Sequence, residues 1–307
     1  MTEERGRGWG ALFGLVLATV VLSVVNPALL IVVPLSLLLV ALPPHRPRRV
    51  IAGALLAGIA LAGAGTAPSG LWYVERAWPL ILGGWFLLGV VLLPRSAFLP
   101  RAMGAVAASA VTAAAVLEIA GGWRALDRTF RERFDAGVAD ALRAWGGQLE
   151  GTAGVRQAME QAAALQAFLY PALLALASMA ALAITWWVYR RVAGQESRPL
   201  ARLREFRFSD HLVWVVVAGA LLMLLPAGDA GMRTGSNLLT FMAALYALRG
   251  LAVVVALIGS PGWGMVLLGT VAALLLYPLV LMATLVVGLT DTWLDLRSAR
   301  GAGRRKS

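Results

Sequence analysis

An all-α, polytopic transmembrane helical bundle is the fold class this sequence predicts, and three observations predict it. Of the 307 residues, 60% are hydrophobic and only 14% are charged, whereas charged residues make up about a quarter of a soluble domain. The apolar residues gather into runs of about 15 to 28, close to the length of helix that crosses a hydrocarbon layer of roughly 30 Å. Clusters of Pro, Gly and Arg separate those runs. About eight to nine spans are expected, with one long amphipathic extramembrane helix among them.

The first apolar run covers residues 9–25. Arg5 and Arg7 precede it as they would a signal peptide, but the run continues into the next with no small-residue cleavage site, so it reads as a retained span. Gly10, Gly14 and Ala18 put small residues at every fourth position, a pattern that lets helices approach closely and that also serves ordinary packing. Asn26-Pro27 interrupts the run, and the next, 28–42, holds Pro34 and ends at Pro43-Pro44. Proline bends a helix and donates no backbone hydrogen bond, so the two pieces read as a hairpin of short helices. The loop His45-Arg46-Pro47-Arg48-Arg49 is strongly basic and expected on the cytoplasmic side. A third run, 50–64, leads to a loop with Trp72, Tyr73 and Trp78, read as an interfacial aromatic belt. The fourth run is 79–93; Arg95 and Arg101 then return the chain to the inside, and the fifth continues to residue 120.

Residues 122–161 are different in kind. Trp123, Leu126, Phe130, Phe134, Val138, Leu142, Trp145 and Leu149 recur at steps of three or four, with charged residues between them, which predicts an amphipathic helix. Asp127 with Arg131 and Arg128 with Glu132 are spaced for exposed ion pairs, each worth only a few tenths of a kcal/mol. Its charges nearly cancel. Two readings stand: a cover over the outer mouth of the bundle, or an in-plane helix at the interface.

The sixth run, 164–189, ends in Trp186-Trp187-Val188-Tyr189-Arg190-Arg191, an interface anchor. The following loop, with Arg198, Arg202, Arg204 and Arg207 added, is the strongest cytoplasmic mark in the chain. Runs at 211–225, 236–258 and 262–289 complete the count, with Pro278 expected to kink the last. Asp229 and Arg233 are expected in the loop between the first two of these. Nine crossings from an internal N-terminus would put the C-terminus outside, yet Arg297, Arg300, Arg304, Arg305 and Lys306 mark it as inside. The run 262–289 is therefore expected not to make a simple single crossing. The domain reading is 1–121 for the N-terminal helices, 122–161 for the amphipathic segment, 162–297 for a C-terminal transmembrane core and 298–307 for a basic cytoplasmic tail.

Composition also narrows the chemistry. The absence of cysteine removes disulfides, thiolate metal sites and cysteine nucleophiles. The net charge of +11 sits at the ends of apolar runs, where it meets anionic lipid, so the lipid bilayer and not nucleic acid is the expected partner. His45 and His211 lie in separate loops, which excludes an HExxH zinc site, and neither a Walker loop nor a Gly-x-Ser-x-Gly elbow occurs. No catalytic residue, metal or cofactor is expected, and the protein is read as a non-enzyme. A single lysine against many arginines, with abundant Ala and Gly, fits a high-GC bacterial genome and an inner-membrane location.

Within hydrocarbon an ionised side chain costs about 2.5 to 3.5 kcal/mol on insertion scales, so each calls for a reason. Arg249 lies in the middle of the eighth run, twelve residues after Asn237 and next to Gly250. Arg249 and Asn237 lining an internal cavity would hold an anionic solute through the guanidinium fork. The alternative is that Arg249 pairs with a carboxylate or with helix-end carbonyls, or reaches the interface. Glu118, near the end of the fifth run, is the counter-charge nearest to hand, and it completes the candidate ligand-binding set with Asn237 and Arg249. Asp291 and Asp295 read as a cap or surface salt bridge before Arg297.

Phe206-Arg207-Phe208, Asn237-Leu238-Leu239, Leu245-Tyr246-Ala247-Leu248-Arg249-Gly250-Leu251-Ala252, Gly288-Leu289-Thr290-Asp291 and Leu296-Arg297, in that order, resemble the YybS-like family of predicted bacterial membrane proteins. The resemblance covers residues 160–297, and the N-terminal half only by hydropathy and length. It implies a multi-pass membrane protein, distantly similar to the substrate-binding components of energy-coupling-factor vitamin transporters. Those are helical bundles that capture a small molecule beside a membrane coupling protein and ATPases. This chain has more apolar runs than they do and an inserted amphipathic segment. A transport-related protein binding a small solute in the bundle is the first functional expectation. The second is a scaffold that recruits cytosolic partners or lipid through its basic loops.

Overall fold

The computed structural model describes residues 15–16, 18–19, 21–23, 25–43, 46–63, 70–144, 153–194, 203–225, 228–258, 264, 269 and 275–294. Among them every regular element is a helix. Four of the described stretches are long and apolar enough to cross a membrane: Glu75–Leu92, Phe98–Ile119, Glu160–Val192 and Gly228–Ile258. Pro27–Ala41, Asp210–Leu224 and Pro278–Leu294 are apolar but shorter. The expected count of about eight to nine drew on the runs 9–25 and 262–289, much of which lies outside the described residues. The chain divides into two compact units, Met1–Pro199 and Leu200–Ser307.

In the first unit, α1 (Pro27–Ala41) is the central helix, packed on α2 (Pro47–Gly63), α3 (Gly70–Leu92) and α6 (Ala153–Val192). The break expected at Asn26-Pro27 is a helix start: the Asn26 side chain accepts from the Ala28 amide at 3.0 Å, and Pro27 occupies the first turn, where its missing donor costs nothing. Inside α1, Pro34 opens a gap in the backbone ladder. Thr185 of α6 donates to the nearby Ile31 carbonyl at 3.1 Å, the kind of side-chain substitution that makes proline tolerable in a membrane helix. At the same level Gly83 of α3 comes against Pro34; a Cβ there would lie 3.1 Å from the Pro34 Cα.

Two sequence expectations are corrected here. Arg48 and Arg49 are not loop residues but the first turn of α2, because Pro47 starts the helix. Trp72, Tyr73 and Trp78 lie on α3, which begins at Gly70 and runs through Pro79. Pro79 sits within that helix and does not open it. Trp78 is buried and donates from Nε1 to Ser178 Oγ at 2.9 Å, tying α3 to α6. Trp78→Phe is expected to lose that bond and about 1 kcal/mol of stability, read as a lower midpoint on denaturation in micelles.

After α3 the chain turns into α4 (Phe98–Ile119), which packs on α3 and α6. Gly121 adopts φ +61° at its end, and the Gly122 amide reaches back to the Leu117 carbonyl at 2.9 Å. That turn starts the amphipathic α5 (Trp123–Ala144), laid against α6 and α3 with Leu126 buried. The amphipathic segment is not one helix to residue 161: residues 153–161 form the first turns of α6. An exposed ion pair on α5 joins Arg143 to Asp140 at 2.8 Å.

In the second unit, short 3₁₀ turns at Leu203–Glu205 and Asp210–Leu212 lead into α7 (Val213–Leu224), which makes a hairpin with α8 (Gly228–Ile258). Asp229 and Arg233 are therefore on α8 and not in a loop. Gly219 and Gly235 let α7 and α8 cross closely, since a Cβ on Gly235 would lie 2.6 Å from the Gly219 carbonyl oxygen. The last described helix is α9 (Tyr277–Leu294). Pro278 stands in its first turn, and a turn at Leu276 separates it from the helical Leu275, an interruption where a kink is expected.

Candidate functional site

The closest approach in the second unit is between α8 and α9. A Cβ added to Gly250 would overlap the Thr284 carbonyl, and one added to Gly288 would overlap the Tyr246 carbonyl. Gly250 faces Thr284 while Tyr246 faces Gly288, so the helices run antiparallel. Backbones this near leave no room for side chains at the crossing. The residues beside it, Arg249 and Asp291, are thereby brought together across 42 positions of sequence.

Arg249 is 3% exposed although it carries a full charge. Its Nε donates to Asp291 Oδ2 at 3.0 Å, one terminal nitrogen donates to the Asp291 backbone carbonyl at 3.2 Å, and the other to Asp210 Oδ1 at 2.8 Å. The Phe208 ring covers the guanidinium, with Cζ 5.3 Å from its centroid. Phe208 in turn meets the ring of buried Tyr246 edge to face at 5.1 Å, and Phe206 packs on Phe208 at 6.1 Å. The segment from Phe206 to Asp210 is thus part of the site: it delivers Phe208 and Asp210 to the side of α8.

The two carboxylates are not equivalent. The Asp291 side chain is 0% exposed and its residue meets the guanidinium through both Oδ2 and the backbone carbonyl, whereas the side chain of Asp210 is 63% exposed. A guanidinium has five N–H donors and these contacts use three of them, so an oxyanion taking the place of Asp210 would find a planar fork already oriented by Asp291.

Of the candidate residues named from sequence, Arg249 alone belongs to this cluster. Asn237 is buried on the same helix, but its amide donates to the Arg233 carbonyl at 2.8 Å. Twelve residues of helix put it about 18 Å along the axis from Arg249 and on a different face. Glu118 belongs to the other unit, exposed near the end of α4, and the guanidinium finds its counter-charges within its own unit. Asp291 does make a salt bridge, as read from sequence, but to Arg249 and in the interior. Asp295, Arg297 and the basic tail lie outside the described residues. Asp210 and Tyr246 went unrecognised; the signal for Asp210 was a carboxylate at the mouth of an apolar run, on the side of the basic loop. No group of three or more metal-ligating side chains occurs among the described residues.

A family model described as Predicted membrane protein (DUF2232) matches residues 10–292, nearly the whole chain. No curated protein and no solved structure matches it.

Proposed function

The chain belongs to the DUF2232 family of predicted membrane proteins, and from that premise we propose that it is a transport-related protein binding a small anionic solute at Arg249. The observation that carries this reading is the division of labour between the two carboxylates. Asp291 fixes the guanidinium from the buried side, and Asp210, largely exposed, holds the place that a solute carboxylate or phosphate would take. Binding is then an exchange of one oxyanion for another, and no buried charge is left unpaired at any stage. The resemblance to YybS-like proteins, and through them to the substrate-binding components of energy-coupling-factor transporters, supports the same reading. We take the protein to be a non-enzyme of a bacterial cytoplasmic membrane, working beside a membrane coupling protein.

The test is thermal unfolding of the purified protein with a panel of small carboxylates and phosphates. A ligand raises the midpoint of the wild type, and Arg249→Lys, which keeps the charge but loses the fork, abolishes the shift. Asp210→Asn removes the internal competitor and is expected to tighten apparent affinity by up to about fivefold, the equivalent of roughly 1 kcal/mol. Affinity unchanged or weakened in Asp210→Asn would rule out the exchange.

A second reading, a scaffold acting through its basic segments, is favoured by the end of α6. There Arg190 and Arg191 lie over the rings of Trp186 and Trp187, each guanidinium 5.5 Å from the ring centroid. Copurification of a cytosolic partner that is lost when these arginines are neutralised would select it.

A further inference from the structure

Arg101 is a buried cation of the first unit whose charge no carboxylate answers among the described residues. It is 9% exposed, in the first turn of α4. Its Nε makes a long bond, 3.3 Å, back to the Ala97 carbonyl of its own helix, and its terminal nitrogens donate to no described residue. Such a group is costly to leave unanswered, since burial raises the cost of a charge unless a partner meets it.

What surrounds Arg101 makes the problem sharper. Its guanidinium lies 5.0 Å from the centroid of the buried Trp186 ring, and that of Arg190 lies 5.5 Å from the same ring. Tyr189 stacks on Trp186 at 5.6 Å. Two like charges, from α4 and α6, therefore share one aromatic ring, which Phe86 meets edge to face at 6.0 Å.

The helix end at this spot is also open. Ala97 stands at the N-cap of α4 and offers no side-chain acceptor. The amides of Phe98 and Leu99 have no acceptor among the described residues, and Pro100 has no donor to satisfy. A 22-residue helix presents partial positive charge at such an end. Arg101 reaches back toward the same end, with its Nε at 3.3 Å from the Ala97 carbonyl. Both α3 and α4 are candidate spans, so the turn between them lies at a membrane face, the level of lipid phosphates.

We propose that Arg101, Arg190 and the free amides at the start of α4 bind a phosphate group, carried either by an anionic phospholipid or by inorganic phosphate. A phosphate fits better than a carboxylate because its tetrahedral oxygens reach donors on several sides at once and its charge can answer more than one guanidinium.

The experiment uses the full-length protein in a neutral maltoside detergent. Thermal unfolding is followed by tryptophan fluorescence against short-chain phosphatidylglycerol, phosphatidylcholine of equal chain length, inorganic phosphate, and chloride at matched ionic strength. The midpoint is expected to rise by about 5 °C at a hundredfold excess over the dissociation constant. A response to phosphatidylglycerol alone identifies the lipid as the source, and a response to phosphate as well identifies the free anion. Arg101→Gln is expected to lose the response while its unliganded midpoint rises, because an unanswered buried charge has been removed. Arg95→Gln, an exposed arginine in the same turn, is expected to respond like the wild type. Arg101→Lys, retaining charge without the fork, reports a weakened response should the glutamine variant not fold. Equal shifts with phosphatidylcholine, no shift with either phosphate source, or a full response in Arg101→Gln would each overturn the proposal.

Discussion

Replacing Asp291 with alanine destabilises the protein by about 3 kcal/mol, and replacing Asp210 costs under about 1 kcal/mol, although both carboxylates meet the same guanidinium. The difference follows from burial. The Asp291 side chain is 0% exposed and that of Asp210 is 63% exposed. Removing Asp291 leaves Arg249 desolvated with its charge half answered, whereas water or lipid headgroups replace much of what Asp210 supplied. The low end of the range for breaking a buried pair applies because Asp210 remains in place in the alanine variant. Arg249→Met combined with Asp291→Leu removes both charges together and is expected to recover most of the loss, since a buried ion pair seldom outperforms apolar residues of similar volume. Denaturation in mixed micelles, run as a double-mutant cycle, measures the coupling directly. An Asp291→Ala cost no greater than that of Asp210→Ala would remove the pair from the account of stability.

Gly250→Ala is the second large effect expected. One methyl group there would overlap the Thr284 carbonyl and crowd the Gly288 amide, both of them backbone atoms that cannot rotate aside. The helices must part, and parting weakens the packing along α8 and α9 as well as the reach of Arg249 to Asp291. A loss of about 2–4 kcal/mol is expected. Gly104→Ala on α4 supplies the control, because a Cβ there meets nothing within 4 Å. That variant is expected to be neutral or slightly stabilised, as alanine is the better helix former. The comparison is read from unfolding midpoints of the two purified variants. Equal midpoints would show that the close crossing is dispensable.

Much of this architecture is legible in the sequence, and the illegible part has physical causes. Hydropathy places helices well because in lipid a helix satisfies its own backbone, so a run of apolar residues has few alternatives. It places proline badly. Pro79, the first residue of the fourth apolar run, lies within α3, whereas Pro278 lies in the first turn of α9, just after the turn at Leu276. A missing donor is compatible with both positions, and only the neighbours decide between them. Arg249 was visible as a charge in the wrong solvent, but its partner was not, since pairing across 42 residues leaves no local period. Glu118 drew attention as a carboxylate beside an apolar run; Asp210 sat beside another such run and is the one that pairs. Gly10, Gly14 and Ala18 form a small-residue repeat in the sequence, the two glycines lying outside the described residues. The crossing of α8 and α9 uses one glycine from each helix, which no repeat search would find.

Arg249 has one carboxylate 39 positions before it and another 42 positions after it. A ribosome reads the chain in that order. Asp210 is therefore already in the chain when Arg249 is added, and Asp291 is not. The buried half of the ion-pair cluster can form only once α9 has been made, so the exposed aspartate is the counter-charge that any shorter, α9-less chain would have to use.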